Sequence, residues 1–177
     1  MPQLEFVVDN QVLASIANGV ASVTNEFYRP ALDRIRLHIH QLYGRHVEYK
    51  ARFLDPIDWR PRECNAAADH VANCVLSHGT DFDTLEVDGL VAGLTDGIGI
   101  QVFSDGGFAD GVGAAAVVVS LVFAEEDSLR TRILGARGHL VRDAKSAFHT
   151  EVVALDLAIE ILMACLPALS QRKRPRR

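Results

Sequence analysis

The chain has 177 residues, 49% of them hydrophobic and 23% charged, which is enough apolar material for one compact domain with a core and too much for wholesale disorder. Its three cysteines, Cys64, Cys74 and Cys165, form no Cys-x-x-Cys pair, so they fit neither a disulfide framework nor a cysteine-built zinc site and favour a reducing, intracellular setting. The formal net charge is −5 although Arg172–Arg177 carries five basic residues, so the body is acidic and a poor general attractor of nucleic acid. Glu5 and Asp9 interrupt the first apolar run, and no uncharged stretch reaches the roughly 18 residues of a membrane span, so a soluble protein without a signal peptide is expected.

Leu4 to Val8 reads as a short strand ending at Asp9, and Gln11 to Val23 then places Val12, Ile16, Val20 and Val23 at helical spacing. Pro30 opens a second helix, with Leu32, Ile35, Ile39 and Leu42 as one stripe and Gly44 at its end. Its other face carries Arg34, Arg36, His38 and Gln41, either a solvated face or one that touches phosphates. Val47 to Leu54 alternates as a strand until Asp55-Pro56 breaks it. Trp59 to Asn65 reads as a loop leading into a helix from Ala66 to Leu76, with Asp69 in its first turns.

Ser77 to Asp96 is rich in Gly, Asp and Thr and reads as a linker between two patterned halves. A structureless connection of about 20 residues is unusual inside a compact domain, so Phe82, Leu85, Val87, Leu90 and Leu94 are expected to pack a short helix or arm onto the surface. The second half opens with a strand from Ile98 to Phe103, the acid Asp105 and a glycine turn at Gly106-Gly107. Ala114 to Phe123, Leu129 to Leu134 and His139 to Val141 continue it as an antiparallel meander. Ala144 to Leu166 is the longest helix, with Phe148, Glu151, Leu155, Ile159 and Leu162 close to one face. Glu151 is its anomaly, because a carboxylate on the side that meets a sheet needs a partner. The basic run after Leu169 is expected to be a disordered tail, so residues 1–169 form the domain and 170–177 lie outside it.

Two acids at strand ends, Asp9 and Asp105, and two on helix faces, Asp69 and Glu151, are candidates for one metal centre. Clustered carboxylates repel one another unless a cation neutralises them, and Mg²⁺ or Mn²⁺ prefers oxygen ligands. Two such ions can activate a water and stabilise the leaving oxygen in phosphodiester cleavage.

The surroundings of these acids carry a resemblance. Phe103-Ser104-Asp105-Gly106-Gly107-Phe108, with Gly111-Val112-Gly113-Ala114-Ala115 after it, resembles the first strand, turn and second strand of ribonuclease H domains. Ala147-Phe148-His149-Thr150-Glu151-Val152-Val153-Ala154-Leu155 resembles the acid-bearing first helix of that family, and Val7-Val8-Asp9-Asn10-Gln11-Val12-Leu13 its fourth strand and the helix that follows. Trp59 to Asn73 resembles the Pro-Arg-Glu-x-Asn-x-x-Ala-Asp-x-x-Ala-Asn segment of plant-type and retroelement members. The family meets its acids in the order Asp105, Glu151, Asp9, Asp69, whereas this chain meets Asp9 first. The resemblance is therefore to a circularly permuted ribonuclease H fold, with residues 1–76 as the usual second half, 77–96 joining the usual ends, and 97–169 as the usual first half.

The resemblance implies an α/β fold, a five-stranded mixed sheet flanked by helices in permuted order, with the Val47–Leu54 strand at one edge. It implies catalysis by Asp105, Glu151, Asp9 and Asp69 through two Mg²⁺ or Mn²⁺ ions, on the RNA strand of an RNA/DNA hybrid. Recognition of 2′-hydroxyls falls to Gly106, Gly107 and Asn10, and positive potential for the DNA strand to Arg34, Arg36 and the basic tail. Arg62 and Asn65 are expected to order the loop before Asp69, and His70 and His149 to be structural. The family often has a histidine ten residues before its last acid, where this chain has Trp59, which brings in an alternative: a non-catalytic nucleic-acid-binding or interaction module. A monomer is expected, with a swapped dimer as the other way to complete the site.

Overall fold

The sheet grows around the most apolar stretch of the chain. A computed structural model of the protein describes residues 3–45, 57–85, 87–96, 99–125 and 128–172. Strand β5 (Val112–Glu125) is buried without interruption from Gly113 to Leu121, a run that only a strand covered on both faces can carry. It lies between β4 (Gly99–Ala109) and β6 (Ser128–Val141), antiparallel to both. On the far side of β4, strand β1 (Gln3–Val8) pairs in parallel from Gln3↔Gly99 to Val7↔Phe103. The short β2 (Ile57–Trp59) pairs in parallel with β1, and β3 (Phe82–Asp83) pairs antiparallel with β6. The protein is thus α/β, with six strands in the order β2-β1-β4-β5-β6-β3.

Helices cover the two faces unequally. Helices α1 (Gln11–Ala17), α2 (Arg29–Arg45), α4 (Val87–Asp96) and α5 (Ala147–Arg172) share one face. There Leu13, Ile35, Leu90, Leu155 and Ile159 form one core with Phe6, Val102, Val117 and Val119. Helix α3 (Ala66–His78) covers the other face over β4, β5 and β6, setting Ala68, Ala72 and Val75 against Ala114, Ala116 and Val118. The alternation of Val117 and Val119 with Ala116 and Val118 along β5 sends large side chains to the four-helix face and mostly small ones toward α3. Beyond α3 the sheet face is polar. Gln101 on β4 donates to Glu5 at 2.7 Å, and Arg60 bridges Glu5 and Asp58.

Several elements differ from the sequence expectations. The sheet has six strands rather than five, because the supposed linker supplies one. Phe82 and Asp83 pair with Gly138 and Arg137, held by Asp83 to Arg137 at 2.9 Å and by Asp81, which accepts the Leu140 amide at 2.8 Å. Leu85, Leu90 and Val91 of the same segment are core residues, whereas Phe82 is 43% exposed. The Val47–Leu54 strand lies outside the described residues. The edge beside β1 is held instead by Ile57–Trp59, where the Asn18 side chain accepts the Ile57 amide at 3.0 Å and donates to its carbonyl at 2.8 Å.

Helix α1 stops at Ala17 rather than Val23, because Asn18 caps it and Gly19 takes a φ of 77°. The last two segments of the meander are one strand, β6. Gly106 and Gly107 lie inside β4 opposite Ala115 and Ala114, and the turn falls at Asp110-Gly111, both in the left-handed region. Helix α5 continues past residue 169 to Arg172, so the expected tail is helical at its start, and 173–177 lie outside the described residues. Among the described residues, no helix is long and apolar enough to cross a membrane.

Candidate metal centre

Strands β1 and β4 part at their carboxyl ends. Pairing stops at Val7↔Phe103, so Asp9 leaves the sheet just after Val8 while Asp105 stays in β4, paired to Ala116 on its other side. The opening between two parallel strands at their carboxyl ends is a usual place for a ligand in α/β proteins. The first turns of α5 close it. Ser146 caps that helix by accepting the His149 amide at 3.1 Å, and Glu151 follows one turn later.

The approach of α5 depends on Gly106. A Cβ there would lie 2.7 Å from Thr150 Oγ1 and would overlap the Glu151 amide nitrogen and the Thr150 carbonyl carbon. A bare backbone at this one position lets Glu151 reach Asp105. At Gly107 the constraint from α3 is milder, since a Cβ there would come 2.7 Å from Leu76 Cδ1, the end of a flexible side chain that can turn aside. These glycines therefore allow contact from both faces rather than make a turn.

Oxygen atoms of Asp9, Asp105 and Glu151 lie within 4.8 Å of one another. Asp105 is only 4% exposed. Burial, then the charges of Asp9 and Asp69, push its carboxyl up to about 7, with the Gly106 amide and Arg62 opposing. Burial, then Asp105 and Asp9, push Glu151 up to about 9. Asp9 is also raised, mainly by burial, with Arg62 opposing. Three crowded carboxylates must share protons or take up a cation. The donors are all oxygen, with no imidazole or thiolate among them, so the triad could hold a hard divalent ion of the Mg²⁺, Mn²⁺ or Ca²⁺ kind.

Asp69 does not join the triad. Its Oδ1 is paired with Arg62 and its Oδ2 accepts from Asn73 at 3.1 Å, although its charge still reaches Asp9 and Asp105. Asn65 fixes the start of α3. It is fully buried, its Nδ2 donates to the Ser104 carbonyl at 2.9 Å, and its own carbonyl receives the amides of Ala68 and Asp69. Its role in ordering this loop was legible in the sequence. The role of Trp59 was not: its indole donates to the Asp9 carbonyl at 3.0 Å, while the Arg60 amide donates to Val8.

Other candidates serve the scaffold. Asn10 caps α1 by accepting the Leu13 amide at 3.0 Å. Arg34 pairs with Asp156 and ties α2 to α5, and Arg36 donates to the Ile16 carbonyl at the end of α1 at 3.1 and 2.5 Å. His70 contacts Cys74 one turn on. His149 accepts the Lys145 amide at 3.1 Å and stacks edge-on with Phe27, and burial lowers its pKa.

Comparison of the chain with protein-family models, with curated proteins and with solved structures finds no match in any of the three.

Proposed function

We propose that the protein is a metal-dependent endonuclease of ribonuclease H type, cutting the RNA strand of RNA/DNA hybrids on a circularly permuted fold. The observation that carries this reading is the meeting of Asp9, just after β1, Asp105, within β4 rather than at its end, and Glu151 on α5 within 4.8 Å. Strand order supports it too. The run β2-β1-β4-β5-β6 sets the Asp105 strand between its antiparallel meander and the parallel Asp9 strand, as the resemblance implies, and β3 is an addition at the edge.

The residues that would hold the metal are Asp9, Asp105 and Glu151, with Asp69 at their margin. Two Mg²⁺ or Mn²⁺ ions, when bound, supply an activated water and a neutralised leaving oxygen for phosphodiester hydrolysis. Burial and crowding raise both the Asp105 and the Glu151 carboxyl, and a cation held among them would favour their ionised forms. Trp59 fixes the backbone of Asp9, and Gly106 brings the α5 carboxylate to the β4 one. Gly107 and the Asn10 amide group remain the candidates for 2′-hydroxyl contacts, whereas the Gly106 amide is turned toward the carboxylates. Arg34 and Arg36 are better explained by their contacts within the protein. The triad draws on both halves of the chain and is complete in one copy, so the reaction needs no swapped dimer.

A labelled RNA/DNA hybrid incubated with Mg²⁺ tests the proposal. Cutting by the wild type and none by a folded Asp105→Asn variant is expected; a folded wild type that never cuts in Mg²⁺ or Mn²⁺ excludes it. The pairing of Asp69 with Arg62, together with Trp59 in the place of the histidine, favours a binding module without turnover. That reading requires hybrid binding without cleavage, unchanged by acid-to-amide substitution.

A further inference from the structure

We propose that Arg62 is a tethered cation that keeps the Asp69 side of the centre closed, so that one divalent ion binds at Asp9, Asp105 and Glu151 and a second enters only when Arg62 swings away. The inference rests on reading the triad as a metal centre. Both oxygens of Asp69 are engaged, Oδ1 by the Arg62 guanidinium and Oδ2 by Asn73 at 3.1 Å. Each carboxylate oxygen has two lone pairs, so the guanidinium takes one of the two sites at Oδ1 and its positive charge disfavours an ion at the other.

Arg62 also acts on the whole cluster. Its positive charge favours the ionised forms of Asp9, Asp105 and Glu151 as well as pairing with Asp69. It therefore does part of the neutralising that a second ion would do, and it repels an ion arriving beside it. A guanidinium does not lose its proton in a protein, so this block is relieved by movement of the side chain rather than by a change of pH.

Movement is available. The Arg62 side chain is 71% exposed and leaves from a single 3-10 turn, Arg62–Cys64. The next residue, Asn65, is anchored to Ser104. The backbone is fixed and the long side chain is free to turn into solvent. An exposed pair of this kind contributes little to stability, so a doubly charged ion can displace it.

Mn²⁺ titration calorimetry on the whole protein, with electron paramagnetic resonance for coupled ions, tests the proposal. The wild type is expected to take up one ion over a concentration range in which Arg62→Ala takes up two, the second binding about tenfold more tightly than in the wild type. Asp69→Asn added to Arg62→Ala should return the count to one, and spin coupling between ions should appear at a lower Mn²⁺ concentration in Arg62→Ala than in the wild type. Circular dichroism checks folding, and Arg62→Gln, which removes the charge but keeps a donor, gives a second variant with an intermediate shift. Equal binding of two ions by wild type and Arg62→Ala, or of one ion by both, overturns the role of Arg62 and leaves the metal centre standing. No Mn²⁺ binding by any variant overturns both.

Discussion

The indole N–H of Trp59 donates to the Asp9 carbonyl at 3.0 Å, so the last residue of β2 holds the first residue after β1. Trp59→Phe keeps an aromatic ring and removes the donor. One hydrogen bond at a 44% exposed side chain is worth about 1 kcal/mol, so urea unfolding should shift by no more than that. Mn²⁺ affinity at the triad should fall several-fold, since Asp9 loses the restraint on its backbone. Unchanged affinity in titration calorimetry would assign Trp59 to the edge of the sheet alone.

Gly106→Ala places a methyl group where the α5 backbone lies, with Thr150 Oγ1 only 2.7 Å away. Neither β4 nor α5 can yield cheaply, so a loss of about 3 kcal/mol or more is expected in chemical denaturation, together with loss of metal binding. Gly79→Ala is the control. That glycine has a φ of 64° and open space around it, so the change should cost about 1 kcal/mol and leave metal binding intact.

Without metal, stability should fall as pH rises. The folded carboxyls of Asp105, at about 7, and Glu151, at about 9, bind protons more tightly than their ordinary values of 3.8 and 4.5. Below about pH 4 both are protonated folded or unfolded. Above it the unfolded chain ionises first, and each group then removes up to about 1.4 kcal/mol per pH unit until its folded pKa is passed. Thermal melts in EDTA should show this decline between about pH 4 and 9, and Asp105→Asn with Glu151→Gln should flatten it. Adding Mg²⁺ at pH 8 should raise the wild-type melting temperature and leave that double variant unmoved.

Asn65→Ala removes a fully buried amide that ties the start of α3 to the Ser104 carbonyl. A cost of about 2 kcal/mol is expected, because the carbonyl loses a donor where water cannot replace it. Asn65→Asp should be worse near neutral pH than at pH 4, since it adds a buried negative charge beside the cluster. Denaturation curves at the two pH values compare them.

The helices and the central strands were legible because their apolar spacing is strong. Leu32, Ile35, Ile39 and Leu42 mark α2, and the uninterrupted run from Ala114 marks β5. Glu151 stood out because it breaks an apolar helix face, and Asp9 and Asp105 because each follows an apolar strand-like run. The short strands were hidden: Ile57–Trp59 and Phe82–Asp83 are too brief to show a period, and pairing with β1 and β6 creates them. Gly106-Gly107 has the composition of a turn, but pairing with Ala115 and Ala114 of β5 keeps it extended, and at Gly106 the close approach of α5 explains why the residue is glycine. The pairing of Arg62 with Asp69 was equally hidden, since a loop side chain seven residues away can point anywhere until Asn65 fixes the turn.

The sheet order has a consequence for synthesis. Strand β1 leaves the ribosome well before its longer parallel partner, β4, which begins only at Gly99. Until then Asp9 has neither Asp105 nor Glu151 beside it, whereas β4, β5 and β6 can zip together from neighbouring hairpins. The acidic triad thus forms only after α5 is made. A nascent chain stalled before α5 cannot assemble it, and a chain in which the three acids have met has already joined β1, β4 and α5.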